Sequence, residues 1–194
     1  MRSVKAPAEK RPYYFNFSHD LLPDEEIVSY DLACVDVSDS TDSSATIISS
    51  DSVVGKEVEV IVQAGTEAEM HKITCTGQTS YGSEYERELF LEIKTVVTDD
   101  FIKQPGASFT FAVKFDNRLA NGESLASVAG AATRESTGAS VYGSIVLTMY
   151  LVGTQCLVPV TGGTNGETYL IEARGTTSLG RIHQKTIRMI CKEN

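Results

Sequence analysis

Apolar and polar positions alternate with a period of two in several short segments of the chain. In the segment 57–64, EVEVIVQA, the residues Val58, Val60 and Val62 recur at every second position. Successive side chains of a β-strand point to opposite faces, so this alternation predicts a strand with one buried face. Helical spacing of apolar residues is almost absent from the sequence. The chain is therefore predicted to be all-β.

The other predicted strands are short, and turn residues such as Pro23-Asp24 and Asn121-Gly122 separate them. Besides 57–64 and the hairpins described next, they are 13–18, 27–37, 45–49, 108–115, 125–128, 144–152 and 155–160. About seven short strands per hundred residues is typical of a Greek-key sandwich. We expect two tandem immunoglobulin-like Greek-key β-sandwiches. The chain contains no Trp, so the core Trp of antibody domains is missing from both.

An internal repeat supports this organisation. Residues 69–94 align without a gap to residues 167–192, at an offset of 98. The identical pairs are Glu69/Glu167, Ile73/Ile171, Gly77/Gly175, Thr79/Thr177, Ser80/Ser178, Gly82/Gly180 and Lys94/Lys192. Each copy reads as two alternating strands joined by a G-x-T-S-x-G turn. Upstream, residues 15–17 match 111–113 loosely and Ile27 matches Leu125, with small gaps. The period of one domain indicates a duplication.

The domain boundaries are predicted from composition. Residues 1–14 are charged and unpatterned, which predicts a flexible basic arm. We assign residues 15–94 to the first sandwich, 95–104 to a linker and 105–194 to the second sandwich.

The net charge of −9 is unevenly distributed. The arm carries four Lys/Arg against one Glu, residues 15–94 carry four against 17 acidic residues, and residues 105–194 carry eight against six. The first sandwich should therefore repel nucleic acid, and the charge difference can steer assembly. The alternative is that the acidic surface only keeps the protein soluble. Apolar runs such as Ser144–Val152 are too short to cross a membrane. Neither nucleic acid nor a membrane is an expected partner.

The N-terminal segment is basic but has no apolar region, so we expect no signal peptide and assembly in a cytoplasm. Four cysteines occur singly, which favours buried thiols. Cys34 and Cys75 lie on strands that could face each other across the first sandwich, so a disulfide there is the alternative.

No catalytic or cofactor site is predicted. The histidines His19, His71 and His183 form no H-E-x-x-H pattern, and neither G-x-S-x-G nor a P-loop occurs. His71 matches Tyr169 of the second copy, which indicates packing. The loop residues Asp36, Asp39 and Asp42 leave a Ca²⁺ site open, but the spacing of an EF-hand is missing, so we predict no metal.

Protein contacts are the remaining candidate function. The candidate contact residues of the arm and its base are Arg2, Lys5, Lys10, Arg11, Tyr13 and Tyr14. The hypothesis is that the arm orders on an acidic face of an adjacent subunit. Arg134 and Tyr142 belong to a Gly-, Ala-, Ser- and Thr-rich segment, 127–143, that is either an exposed loop or an ordered contact loop. Arg181 belongs to a basic group on the last hairpin.

The segment Gly175–Arg181, GTTSLGR, followed by Ile187–Ile190, IRMI, resembles a pattern in small virion proteins of tailed bacteriophages. The first copy, 77–82 and then 89–94, is similar but has Ser83 at the position of the Arg. The opening stretch 15–27 also resembles these tandem immunoglobulin-like proteins.

The resemblance implies a non-enzymatic virion structural protein that is assembled in the host cytoplasm. It would form a homo-oligomer and attach to capsid, portal or tail proteins as a collar, head–tail connector or decoration protein. The alternative is an adhesion module that binds a carbohydrate or receptor. Such modules use exposed aromatic residues, and Tyr81, Tyr85 and Tyr142 are the candidates.

Overall fold

The computed structural model describes residues 1–193, and its chain forms two compact units. Unit 1 runs from Met1 to Thr95, and unit 2 begins at Val96. Each unit contains seven strands arranged in two sheets. The prediction of an all-β chain with two tandem immunoglobulin-like sandwiches is confirmed.

Unit 1 contains a four-stranded and a three-stranded sheet. Its elements are β1 (Arg2–Lys5), β2 (Arg11–Asn16), β3 (Ile27–Asp36), α1 (Ser44–Ile47), β4 (Ile48–Val54), β5 (Glu57–Val62), β6 (Met70–Thr79) and β7 (Glu84–Ile93). The sheet orders are β1-β7-β6-β3 and β2-β5-β4. Strand β1 runs parallel to β7, and the other pairs are antiparallel. The sets β3-β6-β7 and β2-β5-β4 correspond to strands C-F-G and B-E-D of immunoglobulin domains.

Unit 2 repeats this arrangement. Its elements are β8 (Val97–Lys103), β9 (Phe109–Lys114), a 3-10 helix (Asp116–Arg118), β10 (Leu125–Arg134), β11 (Tyr150–Val152), β12 (Gln155–Val160), β13 (Thr168–Thr177) and β14 (Ile182–Cys191). The sheet orders are β10-β13-β14-β8 and β11-β12-β9, with β8 parallel to β14.

The two units correspond without gaps. The strand pairs β2/β9, β3/β10, β5/β12, β6/β13 and β7/β14 have bounds that differ by 98 residues throughout. Tyr13 pairs with Val60, and Phe111 pairs with Val158, so Tyr13 corresponds to Phe111. The predicted match of residues 15–17 with 111–113 was therefore wrong by two positions. All connections between strands have the same length in both units except the one from β3 to β4, which contains α1 and is shorter than its counterpart from β10 to β11.

Two predicted boundaries were also wrong. Residues 1–14, predicted to be a flexible arm, contain β1 and the first part of β2. Residues 95–104, predicted to be a linker, contain β8. Each of these first strands is held by parallel pairing with the last strand of its unit. The pattern misled because the inward residue at the end of each strand is a lysine rather than an apolar residue.

The core of each unit lies between its two sheets. The largest fully buried side chains in unit 1 include Phe17, Ile47, Ile73, Leu89, Leu91 and Ile93, and in unit 2 they include Phe115, Tyr169, Ile171 and Met189. Val58, Val60 and Val62 are buried, as their alternation predicts. His71 and Tyr169 are both buried, in agreement with the packing role inferred for that position.

Three segments differ from the structure predicted for them. Residues 45–49, predicted to be a strand, contain most of α1 and only the start of β4. Residues 127–134 continue β10, so only the latter part of the segment 127–143 is a loop. Of residues 144–152, only Tyr150–Val152 form a strand. Within residues 1–193, no helix is long and apolar enough to span a membrane.

Candidate protein-contact site

The repeated G-x-T-S-x-G segment closes the β6–β7 and β13–β14 hairpins. The N–H of Gly82 donates to the carbonyl of Thr79 at 3.0 Å, and Gly180 repeats this contact with Thr177 at 3.0 Å. Both glycines have a positive φ, +81° and +73°, which favours glycine. The hydroxyl of Thr177 also accepts the N–H of Arg181 at 3.2 Å. These identities in the repeat therefore maintain a turn.

The first glycine of the segment has a packing role. A Cβ on Gly175 would lie 2.9 Å from Leu125 Cδ2 and 3.4 Å from the Phe115 ring. A Cβ on Gly77 would lie 3.1 Å from Ile27 Cδ1. Both positions lack a side chain because neighbouring core side chains take that space.

A buried lysine ends the first strand of each unit. The Lys5 ammonium donates to the carbonyls of Ala6 at 2.8 Å and Glu9 at 2.9 Å, and also to Ala64. Burial lowers the pKa of Lys5 to about 8. The 98-residue offset places Lys103 at the same point of unit 2, where it donates to Gln104 at 3.0 Å, Pro105 at 3.2 Å and Gly162.

The buried position at the start of β6 and β13 differs in chemistry between the units. The Tyr169 hydroxyl accepts the N–H of Thr164 at 3.0 Å, as in the tyrosine corner of immunoglobulin domains. His71 Nδ1 lies 3.0 Å from Ser43 Oγ, and its Nε2 lies 3.2 Å from the Glu69 carboxylate. Each side chain ties the strand to a preceding segment of its own unit.

All four cysteines are buried and free. Cys34 lies on β3 opposite Ile73, and Cys75 lies on β6 opposite Leu32. The two cysteines therefore belong to neighbouring strands of one sheet, and the expected placement across the sandwich was wrong. Burial raises the pKa of the Cys75 thiol to about 12 and that of Cys156 to about 11.

The acidic loop residues Asp36, Asp39 and Asp42 form local turns. Their carboxylates accept the N–H groups of Ser38 at 2.7 Å, Thr41 at 2.9 Å and Ser44 at 2.9 Å, respectively. These local hydrogen bonds are typical of Asx turns. Among residues 1–193, no group of three or more His, Cys, Asp or Glu side chains is arranged to hold a metal ion.

Two of the predicted contact residues are buried and are withdrawn as contact candidates. Lys5 is enclosed by carbonyl groups, and Tyr13 packs in the unit 1 core. Arg11 is half-buried over the Tyr13 ring, 5.0 Å from its centroid. Lys10 is half-buried, and Arg2 is exposed and 3.7 Å from the Glu92 carboxylate.

The remaining contact candidates lie at or near the surface. Tyr14 is exposed, and its hydroxyl donates to Glu59 at 2.9 Å. Tyr142 is also exposed. Arg134 lies 3.9 Å from the Glu167 carboxylate and Arg181 lies 3.5 Å from that of Glu123. Arg2, Lys10, Arg11, Tyr14, Arg134, Tyr142 and Arg181 stay predicted contacts.

An aromatic cleft of about 570 Å³ opens in unit 2 between β8 and β9. Its apolar lining includes a cluster of three phenylalanines. The Phe101 ring lies 5.0 Å from Phe111 and 5.7 Å from Phe109, between ring centroids. The two strands are the edges of their respective sheets, so the cleft lies where the sandwich of unit 2 is open at its side.

Unit 1 fills the corresponding place with polar side chains. The residues at Phe101, Phe109 and Phe111 minus 98 are Ser3, Arg11 and Tyr13. The Arg11 Nε donates to the Tyr13 hydroxyl at 2.9 Å, and its guanidinium also donates to the Val4 carbonyl. The Ser3 hydroxyl donates to Tyr13 at 3.4 Å. The units therefore agree in turns and cores, but they differ in polarity at this edge.

The sequence relates the whole chain to one protein family. A family model described as "Podophage GP4 fiber-tail adaptor protein gp77" matches residues 5–92 and 103–189, about nine-tenths of the chain. The chain belongs to this adaptor family. One matched segment lies in each unit. The resemblance to virion structural proteins of tailed phages is confirmed at the level of the family. A collar, connector or decoration position stays a prediction.

Solved structures with a similar fold include three tandem immunoglobulin proteins. The titin I9–I11 tandem is 13% identical, with 100% of this chain and 64% of that chain covered and a TM-score of 0.36. Titin z1z2 in complex with telethonin is 11% identical, with 100% and 93% covered and a TM-score of 0.32. The Ig1-2 module of the Drosophila receptor protein tyrosine phosphatase DLAR is 12% identical, with 98% and 93% covered and a TM-score of 0.32. Similarity at this level carries no argument about function. No curated protein matches this adaptor-family member by sequence.

Sequence reasoning missed the aromatic cleft of this adaptor-family member. The signal was present, because Phe101, Phe109 and Phe111 stand close together in the sequence. The gapped alignment of the upstream segments hid the contrast with Ser3 and Arg11. A gapless offset of 98 through the whole chain shows it directly.

Proposed function

We propose that the chain is a non-enzymatic structural adaptor that binds both a tail protein and a fibre protein in a podophage virion. The observation that carries the proposal is the match of the adaptor-family model to both units. An adaptor needs folded units that present binding surfaces rather than a reactive centre. Two sandwiches, each with a complete core of its own, supply such units.

The charges of the two units support a directional arrangement. Unit 1 carries eight Lys/Arg and 18 Asp/Glu, whereas unit 2 carries nine Lys/Arg and eight Asp/Glu. A difference of this size steers a protein into one orientation between partners of different charge. We infer that the strongly acidic unit 1 faces a basic partner surface and that unit 2 binds through less charged contacts.

A non-enzymatic role also agrees with the residues that the two units share. The repeated Gly, Thr and Lys residues form turns, allow close packing or hold the first strand by hydrogen bonds, all within their own units. Self-association is part of the proposal, and the exposed candidates Arg2, Tyr14 and Tyr142 are its predicted contacts. Assembly in the host cytoplasm is likewise proposed.

The proposal is tested in phage that carry a stop codon in the gene for this chain. We expect particles assembled without the protein to contain packaged heads and tails but to lose their fibres. Supplying the wild-type chain from a plasmid should restore the fibres, and a tagged chain should be visible at the tail by electron microscopy. Fibre-bearing particles without this chain, or purified wild-type particles that lack the chain, would contradict the proposal.

A further inference from the structure

We propose that the β9 edge of unit 2 and the aromatic cleft beside it bind an extended strand of another virion protein. The bound strand pairs with β9, places a large apolar side chain in the cleft and presents a carboxylate to Lys114. This surface would be one attachment site of the proposed adaptor, so the inference rests on that function.

The cleft has the size and lining for a large apolar side chain. Its volume is about 570 Å³, and rings of Phe101, Phe109 and Phe111 form its apolar wall. Phe109 is 40% exposed, and the neighbouring Ile102 is 67% exposed. Water therefore contacts an aromatic cluster that a partner side chain would cover, and burial of apolar surface favours binding.

The backbone of β9 has hydrogen-bonding groups directed away from its own sheet. Strand β9 pairs with β12 on one side and is the edge of the sheet β11-β12-β9. Thr110 lies opposite Pro159, which has no N–H to donate. Antiparallel strands alternate their bonding direction, so Thr110, Ala112 and Lys114 direct their backbone groups outward. All three residues are exposed.

Unit 1 blocks the corresponding edge with two side chains. Pro12 stands at the position of Thr110, and proline at an edge strand prevents pairing with a further strand. Arg11 stands at the position of Phe109, and its guanidinium covers Tyr13 and bonds to Val4. The same fold thus has one protected and one open edge, which singles out unit 2 for strand addition.

The charge of the edge indicates which strand it binds. Lys114 lies at the end of β9, and Lys114 and Lys185 both line the cleft. The acidic wall residues Asp99 and Asp100 lie on β8 rather than on the β9 edge, and Asp100 is 3.8 Å from Arg188 on its own sheet. The β9 sequence FTFAVK has one lysine and no acidic residue, so a second copy of β9 would supply no countercharge. A different chain with a carboxylate next to its apolar residues fits better.

The experiment places a photo-crosslinking amino acid, benzoylphenylalanine, at Ala112 in cells that assemble the phage. The matched control carries it at Tyr14, the residue 98 positions earlier on the edge strand β2, which is also exposed. We expect the chain with the probe at Ala112 to form an adduct with a tail or fibre protein in purified particles. The chain with the probe at Tyr14 should form no adduct with a tail or fibre protein, whereas an adduct of Tyr14 with a second copy of this chain is what the proposed self-association predicts.

Two further variants introduce into the β9 edge of unit 2 the residues that block the corresponding β2 edge of unit 1. Phe109→Arg and Thr110→Pro reproduce Arg11 and Pro12. Each should lower the yield of the Ala112 adduct at least about tenfold, as expected when a central binding contact is lost. The melting temperature of each variant is measured alongside. If one variant fails to fold, the proposal is tested by comparing the adducts formed by the probe at Ala112 and at Tyr14 in the chain without these substitutions.

The outcomes separate this inference from the function on which it rests. Particles that contain the chain but give no adduct at Ala112, or equal adducts of Ala112 and Tyr14 with a tail or fibre protein, overturn the strand-binding site and leave the adaptor function standing. An adduct between two copies of this chain through Ala112 also overturns the proposal, because it shows self-pairing of the β9 edge instead. Absence of the chain from particles overturns both.

Discussion

Lys5 and Lys103 lie 98 positions apart and have the same buried contacts in their respective units. Each ends the first strand of its sandwich and donates hydrogen bonds to the segment that follows it and to the segment after β5 or β12. A buried ammonium is costly unless it is hydrogen-bonded, so these carbonyl groups are required for the charge to be tolerated. The pair thus fixes the first strand of each unit to the rest of its core.

Replacing Lys103 with Met should destabilise unit 2 by about 1–3 kcal/mol. The carbonyls of Gln104, Pro105 and Gly162 would lose their donor at a partly buried site, where water replaces it only in part. Denaturant unfolding followed by circular dichroism measures the change. Lys192→Met is the matched control, because Lys192 is exposed and should change stability little. Equal stability of the two variants would show that the carbonyl contacts contribute nothing.

Stability should rise with pH where Lys5 titrates. Burial lowers the pKa of Lys5 from 10.5 to about 8. Below pH 8 the Lys5 ammonium is charged in both the folded and the unfolded protein, so the free-energy cost of burying the charge is fully present. Between these values the folded protein loses the proton before the unfolded chain does. The free energy of unfolding should then increase by up to about 1.4 kcal/mol per pH unit.

The measurement for Lys5 is the free energy of unfolding of the wild type and of Lys5→Met between pH 7 and 10.5. The wild type should gain stability relative to the variant over this range, because the variant has no proton to lose. The opposite trend would mean that the carbonyl groups hold the proton more strongly than burial removes it.

Adding a methyl group at Gly175 should cost more than at Gly77. The new Cβ would lie 2.9 Å from Leu125 Cδ2 in the first case and 3.1 Å from Ile27 Cδ1 in the second. Overpacking of this kind typically costs about 1–3 kcal/mol. Thermal unfolding of Gly175→Ala, Gly77→Ala and the control Gly106→Ala tests the order. A Cβ on Gly106 meets no atom within 4 Å, so a loss there comparable to that of Gly175→Ala would refute the packing explanation.

The thiols should be unreactive in the folded protein. Burial raises the pKa of all four cysteines, to about 12 for Cys75 and about 11 for Cys156. The thiolate is the reactive form, so alkylation at pH 8 should modify none of them before unfolding. Mass spectrometry after iodoacetamide treatment, with and without guanidinium chloride, measures this. Rapid modification of Cys75 in the native protein would contradict its burial.

The strands that sequence reasoning located are those with an alternating apolar pattern. Strand β5 and both repeated hairpins follow that pattern, so their buried faces could be assigned. Strands β1 and β8 escaped because they end on a buried lysine and pair in parallel with strands far along the chain. A local sequence pattern does not indicate that a strand pairs with a sheet edge formed by residues far along the chain.

The candidate binding edge was hidden for a related reason. The basic N-terminal residues were interpreted as a contact arm, yet Lys5 and Tyr13 are core residues and Arg11 protects an edge. Exposure and edge position depend on the assembled sheets. The sequence alone could still compare Arg11 with Phe109 and Pro12 with Thr110, provided that the repeat is aligned without gaps.

The constant offset of 98 makes the two units equal in length at every connection between strands except the one from β3 to β4 and its counterpart from β10 to β11. A side chain can therefore be exchanged between corresponding positions without redesigning a single turn. Each unit therefore serves as a reference for the other. Residues that are the same at corresponding positions indicate what the sandwich requires in order to fold. Residues that differ indicate what each unit does separately. A library of reciprocal substitutions between positions 98 residues apart would show, position by position, which residues serve folding and which serve the separate role of one unit.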